Sequence, residues 1–338
     1  MTNWDKEYLK LCKRILKEGI EVENRTGINT IKVPSHNFHF DLNEEFPILQ
    51  TKQLFFKNAI TEILWIYQAQ SNDVRWLHER NNHVWDEWMI DKDGVYRTYT
   101  KDENGEKVLK SEKEFGEEFA NTIGTAYGWI VDRYKLTDQL LDALKNNKTD
   151  RRLVMSLWQN EWLKSAVLPS CVWSSEWDVT DGKLNAWVHQ RSCDVPLGLP
   201  FNVTQYATLL MLFAKVSGLE PGTLDWSIKD AHIYVNQVEG IKEQINNEDI
   251  LKNINCLPKA KLLEIKEDYE ARKQVEGLKI LDQKILSATD IVLSKEKPYL
   301  WVNPDIKDFY DYDNSKELND IKVKEYKHMG KIKFPIAQ

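Results

Sequence analysis

The chain has 338 residues, of which 42% are hydrophobic and 29% are charged, and its formal net charge is −7 at pH 7. This composition is typical of a globular protein that buries a sizeable core. The acidic balance argues against general affinity for nucleic acid, because such affinity needs a basic surface that neutralises phosphates.

The chain offers neither a membrane span nor a cysteine framework. No segment approaches the roughly 20 apolar residues that a span needs, and the first residues lack an apolar stretch behind a basic start, so a cytoplasmic location is expected. The four cysteines, Cys12, Cys171, Cys193 and Cys256, form no C-x-x-C pair. Free thiols are therefore predicted in place of disulfides or a zinc site.

The N-terminal third predicts two helices and an excursion. Residues 4–18 place apolar side chains on one face of a helix. Residues 54–70 are apolar on most sides, which predicts a helix enclosed by other elements, with Glu62 inside it. Residues 91–121 are polar, charged and punctuated by Gly and Asn, as is typical of an exposed hairpin.

The remaining two thirds mix strands and helices irregularly. Residues 184–191 alternate in polarity like a strand that ends in polar groups, and residues 203–218 form a nearly all-apolar segment that predicts the central buried helix. Residues 241–297 are rich in Lys and Glu and predict a solvated helical insertion or an edge subdomain. The regular alternation and Gly-rich loop of a dinucleotide fold are missing, so an α+β fold is predicted.

Cys171, in the segment LPSCVW, is either a core residue or a nucleophile. A lone Cys in apolar surroundings is usually structural, but a nucleophilic Cys needs nearby positive charge that stabilises its thiolate. Residues 190–202, QRSCDVPLGLPFN, supply a cation, a hydroxyl, a carboxylate and an amide, and Arg25, Arg151 and Arg152 add guanidinium groups. Several arginines with a serine hydroxyl suit the oxygens of a phosphorylated ligand.

The 13 tryptophans are unusually many and gather in residues 76–88 and 158–177. Such rings either fill a core or form the wall of a pocket for a flat heterocycle. The sequence pattern alone leaves both interpretations open.

A series of polar-rich segments, in this order, resembles the thymidylate synthase family. The resemblance implies one catalytic domain over residues 1–338, with charged insertions at about 91–121 and 246–297. It also implies a large mixed sheet packed by helices, whose other face forms a homodimer interface. The segments are NRTG, FPILQTK, ITEILWIYQAQSN, VWDEW, AYGW, DRR, LPSC, QRSCDVPLGLPFN, DAHIYVNQ and LWVNPDIKDFYDY.

The resemblance implies methylation of dUMP at carbon 5 to give dTMP. The family uses 5,10-methylenetetrahydrofolate as carbon donor and reductant, releases dihydrofolate and needs no metal. By position, Cys171 resembles the nucleophile that adds to carbon 6 of the uracil ring, and Glu62 with Tyr127 resembles the group that moves protons. Asn202 and Asp194 complete the catalytic residues that the resemblance implies.

The resemblance also implies two sets of ligand contacts. Arg151 and Arg152 would reach the phosphate of the partner subunit's nucleotide, and Asn202 would read uracil where an Asp would suit cytosine. The implied dUMP contacts are Arg25, Arg151, Arg152, Gln190, Arg191, Ser192, Asp194, Asn202, His232 and Tyr234. The implied folate contacts are Trp85, Trp88, Leu168, Asp194, Leu197, Gly198 and Phe201.

Two departures keep other functions open. Ser170 and Val172 flank the nucleophile where the family most often has Pro and His, so a dUMP hydroxymethylase on the same fold is the first alternative. A catalytically idle nucleotide-binding or RNA-binding regulator is the second alternative. In the favoured interpretation the arginines both bind phosphate and stabilise the Cys171 thiolate, and neither a membrane nor a nucleic acid takes part.

Overall fold

The computed structural model describes residues 1–275, 277–294 and 296–336. The remaining positions fall within the predicted 246–297 insertion and at the end of the predicted 1–338 domain, and those parts of the predictions lie outside the described residues. The helices are α1 (Asn3–Glu18), α2 (Phe56–Tyr67), α3 (Val74–His78), α4 (Gly128–Tyr134), α5 (Leu136–Asn146), α6 (Gly198–Val216), α7 (Val238–Asn255), α8 (Lys259–Val275) and α9 (Ile280–Val292).

The strands form a large mixed sheet and two smaller pairs. They are β1 (Ile20–Val22), β2 (Thr30–Asp41), β3 (Val95–Lys101), β4 (Lys107–Glu114), β5 (Val154–Ser156), β6 (Val172–Thr180), β7 (Lys183–Gln190), β8 (Cys193–Asp194), β9 (Glu220–Tyr234), β10 (Tyr299–Val302) and β11 (Ile321–Lys324). The main sheet has the order β1-β2-β9-β7-β6-β5, and β8 also pairs with β9. Its β7–β9 and β8–β9 pairs are parallel and its other pairs are antiparallel, which confirms the predicted α+β fold with a mixed sheet.

The core lies between one face of this sheet and helices α1, α2 and α6. The predicted central helix at 203–218 is α6, which is buried along most of its length but begins earlier, at Gly198. The helix can begin before Pro200 because this proline lies in the first turn. Backbone N–H groups in the first turn make no hydrogen bond within the helix, so the N–H that proline lacks is not needed there. Among the described residues, no helix is long and apolar enough to cross a membrane.

The other face of the sheet carries exposed apolar side chains. The alternation along β5, β6 and β7 turns Val154, Trp173 and Trp187 outward, with relative exposures of 51%, 37% and 51%. Trp187 donates a hydrogen bond from Nε1 to Ser227 Oγ at 2.8 Å on the same face. This surface is therefore more apolar than the surface of an isolated chain requires.

The two charged excursions fold differently from one another. The 91–121 segment contains the predicted exposed hairpin, β3 with β4. The later segment is helical as predicted. The prediction that the segment is solvated is wrong for α7, which has a buried side. Gln244 and Asn247 are buried there because each side-chain amide donates to Thr51, at its Oγ1 and carbonyl oxygen respectively, both at 2.8 Å.

Candidate active site

Cys171 immediately precedes β6, at a point where both sides of its backbone are fixed. Its N–H donates to the hydroxyl of Tyr127 at 3.0 Å, and its carbonyl accepts from the Arg191 N–H at 2.9 Å. The pairing of β6 with β7 shifts register between Val172 and Ser174, a bulge of the kind that re-aims side chains beside active sites. The half-buried thiol therefore has a defined direction.

Arg191 ties the segment before the cysteine to the end of β7. Its Nη2 donates to the carbonyl of Pro169 at 2.6 Å, its Nε donates to the carbonyl of Ser170 at 3.0 Å, and Nη2 lies 3.8 Å from Cys171 Sγ. The guanidinium thus has a structural task and also brings positive charge to the sulfur.

Two opposed influences act on the ionisation of Cys171. Burial raises the pKa of the Cys171 thiol above its ordinary value, while the positive charges of Arg191 and Arg25 act to lower it. The cations therefore act in the predicted direction, in favour of the thiolate, although burial has the larger effect on this pKa.

Tyr127 is held in an unusual backbone conformation directly before α4. Its φ is +48° and its ψ is −111°, a region that non-glycine residues rarely adopt and that tends to occur at functional sites. The next residue must be glycine, because a Cβ on Gly128 would lie 1.9 Å from the carbonyl oxygen of Ser71. This turn brings the Tyr127 hydroxyl to the Cys171 backbone.

Glu62 is a buried carboxyl on α2, 7% exposed. Burial raises its pKa to about 7, although the Trp85 indole, whose Nε1 donates to Oε1 at 3.0 Å, acts in the opposite direction. A carboxyl with this pKa exchanges a proton near neutral pH, as general acid–base chemistry requires.

Cys171 and Glu62 open on one cavity of about 160 Å³. All five predicted catalytic residues and several predicted ligand contacts line it. The predicted residues that line the cavity are Glu62, Trp85, Tyr127, Cys171, Gln190, Ser192, Asp194, Gly198 and Asn202. The lining residues that the prediction missed are Ile63, Ile66, Val172, Gln205 and Tyr206.

A chain of amides orients Asn202 within the cavity wall. Gln190 accepts at Oε1 from Trp226 Nε1 at 3.0 Å and donates from Nε2 to Asn202 Oδ1 at 3.2 Å. Asn202 then donates from Nδ2 to Gln205 Oε1 at 3.0 Å. Gln205 Nε2 is buried at the cavity wall, where the Gln205 side chain acts to lower the pKa of Glu62.

Asp194 joins β8 to the start of α6. Its carboxylate accepts from the Leu197 N–H and from Gln237 Nε2, both at 3.1 Å, and burial raises the pKa of the Asp194 carboxyl. Asp194 lies opposite His232 in the β8–β9 pairing. The His232 ring contacts the Tyr234 ring edge-to-face at 5.2 Å, so these two predicted contacts lie next to one another, but neither is part of the cavity lining.

Aromatic rings form the wall on the α2 side. The Trp85 ring lies 5.2 Å from the Tyr127 ring and 5.5 Å from the Trp88 ring, and Trp85 also packs on the core tryptophan Trp65. Trp88, like Leu168 and Phe201, is partly buried against the core and does not line the cavity itself. Trp85 therefore has a place both in the core and in the cavity.

The three arginines outside the β6–β8 region are not part of the cavity lining. Arg25 is exposed in the turn before β2, but its charge reaches Cys171 and Tyr234, where it opposes the rise in pKa that burial causes. Arg151 and Arg152 are exposed before β5. Arg152 is held by Asp150, whose Oδ1 and Oδ2 accept from its guanidinium at 2.9 and 3.2 Å.

Helical periodicity contained a signal for part of the missed lining. Gly198, Asn202, Gln205 and Tyr206 recur at the three- and four-residue spacing that places side chains on one face of α6. Once Asn202 was assigned to the site, the same spacing would have pointed to Gln205 and Tyr206.

The chain is similar to proteins of one family over its whole length. The sequence model of the family described as thymidylate synthase matches residues 6–286. Thymidylate synthase of Clostridium beijerinckii is 39% identical and thymidylate synthase 1 of Bacillus subtilis strain 168 is 32% identical, with 100% of both chains covered in each comparison. The solved structure of a thermostable thymidylate synthase A from Bacillus subtilis is 32% identical, with a TM-score of 0.70 and full coverage of both chains.

Proposed function

The chain belongs to the thymidylate synthase family of methyltransferases, and from that premise we propose that it methylates carbon 5 of the uracil ring of dUMP, giving dTMP. The co-substrate is 5,10-methylenetetrahydrofolate, which supplies both the one-carbon unit and the reducing hydride and leaves as dihydrofolate. The observation that carries the proposal is that Cys171, Glu62, Tyr127 and Asn202 line one cavity.

Cys171 is the covalent nucleophile in this proposal. Its sulfur adds to carbon 6 of the uracil ring, which makes carbon 5 electron-rich, and is later expelled when the ring regains its double bond. The backbone contacts to Tyr127 and Arg191 fix the approach of the sulfur. Because burial disfavours the free thiolate, attack is coupled to loss of the thiol proton in the liganded site.

Glu62 accepts and returns protons at the base and the folate. Its pKa of about 7 allows both protonation states to be populated at neutral pH. The Trp85 indole fixes the carboxyl at the cavity wall, and Tyr127, whose hydroxyl accepts from the Cys171 N–H, lines the same cavity. Asn202, oriented by Gln190 and Gln205, offers its amide to the edge of the uracil ring.

The nucleotide phosphate and sugar are recognised at the mouth of the cavity. Arg25, Arg191 and Ser192 bind the phosphate, since guanidinium groups pair with phosphate oxygens in two-bonded geometry. His232 and Tyr234 bind the sugar hydroxyl. The cavity of about 160 Å³ is smaller than a typical ligand pocket of about 300–1,000 Å³. We therefore propose that the cavity holds the uracil base and that the phosphate binds at its rim.

The residues present suit the folate co-substrate. Trp85, Trp88 and Leu168 supply an apolar wall that keeps water from the reacting carbon, and Phe201 extends that wall. Asp194, Leu197 and Gly198 form the turn into α6, where the Asp194 carboxyl accepts hydrogen bonds from nitrogen donors. We propose that Asp194 binds the N–H groups of the pterin.

The proposed active enzyme is a homodimer. Arg151 and Arg152 lie away from the cavity of their own chain, beside the exposed apolar face that includes Val154 and Trp187. Pairing of two such faces would cover the apolar surface and bring both arginines to the phosphate of the partner site. The charged 91–121 and 246–297 segments are proposed as insertions in this catalytic domain.

A product assay tests the reaction. The protein is incubated with dUMP and methylenetetrahydrofolate, and mass spectrometry separates dTMP from hydroxymethyl-dUMP while absorbance follows dihydrofolate. We expect dTMP and dihydrofolate in equal amounts. Exclusive hydroxymethyl product would replace the proposal with the hydroxymethylase, and dUMP binding without folate-dependent turnover would favour the idle regulator.

Two cysteine variants give the matched control. Cys171→Ser removes the nucleophile and should abolish turnover while dUMP still binds. Cys256→Ser removes an exposed free thiol of the same type and should leave turnover unchanged. Undiminished turnover of Cys171→Ser would contradict the covalent step.

A further inference from the structure

A compact cluster of nitrogen and oxygen ligands lies on the surface behind the tryptophan wall. His78 is the last residue of α3, His83 follows five residues later, and Asp86 begins the short 3₁₀ helix Asp86–Trp88. One ligand atom from each of these three side chains lies within 4.8 Å of the other two. We call this group the His-His-Asp cluster.

Both imidazoles direct a nitrogen at the same carboxylate. His78 Nε2 lies 2.6 Å from Asp86 Oδ1, and His83 Nδ1 lies 2.9 Å from Asp86 Oδ2. The two rings are stacked, with centroids 5.0 Å apart and planes 27° apart. These two nitrogens are also the atoms that would bind a cation. The cation would take the place of the protons that the two imidazoles share with the Asp86 carboxylate.

We propose that the His-His-Asp cluster binds one divalent transition-metal ion of the zinc class. Two imidazoles and one carboxylate suit zinc and its first-row neighbours, and three protein ligands leave the remaining positions for water. Metal–ligand bonds of about 2.0–2.2 Å put neighbouring donors about 3.3 Å apart. The two His–Asp contacts, at 2.6 and 2.9 Å, are somewhat shorter than that separation, so the carboxylate would move outward by a few tenths of an ångström to admit the ion. His83 is exposed and His78 is partly exposed, which leaves their rings room to turn towards it.

The bound ion would join α3 to the turn that carries the tryptophan wall. Asp86 is the member of the cluster that directly follows Trp85, a residue of the wall, whose indole donates to Glu62. The role of the ion is therefore to fix this turn, and it takes no part in transfer to the nucleotide. The inference does not rest on the proposed function, since the metal site and the dTMP reaction are measured separately.

Metal binding is measured directly on the full chain. Untagged protein carrying Cys256→Ser, which removes an exposed thiol that would compete for the ion, is freed of metal with a chelator and titrated with Zn²⁺ by calorimetry. A parallel titration follows the visible absorption of Co²⁺. We expect one ion per chain in both titrations and a metal-dependent rise in the melting temperature.

The variants separate a chelating cluster from two simple ion pairs. His83→Gln, which replaces an exposed side chain, and His78→Gln should each weaken Zn²⁺ binding by at least about tenfold and remove the Co²⁺ absorption band. Glu79→Gln removes a neighbouring exposed charge and should leave the affinity within about twofold. Absence of saturable binding, or a His83→Gln protein that binds like its parent, would overturn the proposal.

Discussion

Glu62 shows how the burial of one side chain sets both a catalytic property and a cost in stability. A carboxyl with an ordinary pKa of 4.5 is almost fully ionised at neutral pH, whereas Glu62 has a pKa of about 7. Desolvation by the surrounding apolar helix raises this pKa because the charged form loses water. The same residue should therefore leave a signature in the pH dependence of activity and of unfolding.

Replacement of Glu62 by Gln should remove both signatures. Turnover should fall by about 10²–10⁴-fold, and the acidic limb of the rate profile, with an apparent pKa of about 7, should disappear. In the parent, the raised pKa favours the folded state fully below pH 4.5, and this contribution is lost as the pH rises to 7. The stability of Glu62→Gln relative to the parent should therefore rise by about 3 kcal/mol across that window.

Steady-state rates and urea unfolding at a series of pH values measure these two effects. Glu264→Gln, which removes an exposed carboxylate paired with Lys261, serves as the control and should follow the parent in both experiments. A relative stability that does not change with pH would mean that the pKa of Glu62 is the same in the folded and the unfolded chain.

Tyr127 offers a second test at the scale of a single atom. Tyr127→Phe removes the oxygen that accepts the Cys171 N–H at 3.0 Å and leaves that backbone donor without its partner. The free energy of unfolding should fall by about 1–3 kcal/mol, and turnover should fall because the sulfur is less firmly placed. Tyr206→Phe, which removes a hydroxyl that pairs with Tyr67, is the control: it should lose comparable stability with a smaller loss of turnover.

Among the elements, the β3–β4 hairpin has contacts that its charged sequence did not predict. Lys110 Nζ donates to the carbonyl of Thr26 at 3.4 Å, one residue after Arg25, and the Tyr96 hydroxyl donates to the carbonyl of Glu87 at 3.2 Å. Lys113 Nζ donates to a third backbone carbonyl, at 2.8 Å. The hairpin therefore supports the turn that presents Arg25, a role that the prediction of an exposed hairpin did not include.

A shortened hairpin tests this support. Residues 96–113 are replaced by Asn-Gly, which joins the paired residues Val95 and Glu114 through a two-residue turn. The KM for dUMP should rise about tenfold, because a tenfold change corresponds to the free energy of about one lost hydrogen bond. The melting temperature should change little, because β4 is exposed along its whole length. Tyr96→Phe should leave the KM for dUMP near the parent value, and an unchanged KM in the shortened protein would exclude the supporting role.

The sequence predicted elements well where one local signal determined the outcome. The apolar segment that became α6 and the punctuated segment that became the hairpin are of this kind. The burial of α7 was not predictable in this way, because it depends on Gln244 and Asn247 finding partners on Thr51, about two hundred residues away in the chain. The net pKa of Cys171 was likewise hidden, since the sequence shows the charges but not the desolvation.

For the whole molecule, the placement of the arginines has the largest consequence. The cavity side of the sheet holds Cys171, the proposed nucleophile, whereas Arg151 borders the other face together with Trp187 and Asp225. Trp173 and Trp187 on that face are 37% and 51% exposed. In a monomer these exposed rings would make the surface prone to aggregation. Pairing of two copies through this face, as proposed, would cover the exposed tryptophans and would also bring Arg151 to the cavity of the partner.

Mixing two inactive proteins tests whether the arginines act across the interface. One protein carries Cys171→Ala and the other carries Arg151→Gln with Arg152→Gln, and they are combined after reversible unfolding. If the arginines serve the partner, one site of each mixed dimer has both its own cysteine and intact arginines. Random pairing should then restore about a quarter of the parent activity, because half of the dimers are mixed and half of their sites are intact.

The same mixture has a clear outcome if the arginines serve their own chain. Each site in a mixed dimer would then lack either the cysteine or the arginines, and no activity would return. Refolding each variant alone controls for slow recovery of activity without exchange of subunits.

Trp187→Arg tests the exposed face itself, because it places a positive charge on that face. In a dimer this charge would be buried against its copy, where it is repelled and poorly solvated. The variant should therefore have a lower dimer fraction, measured by sedimentation, and should recover less activity on mixing.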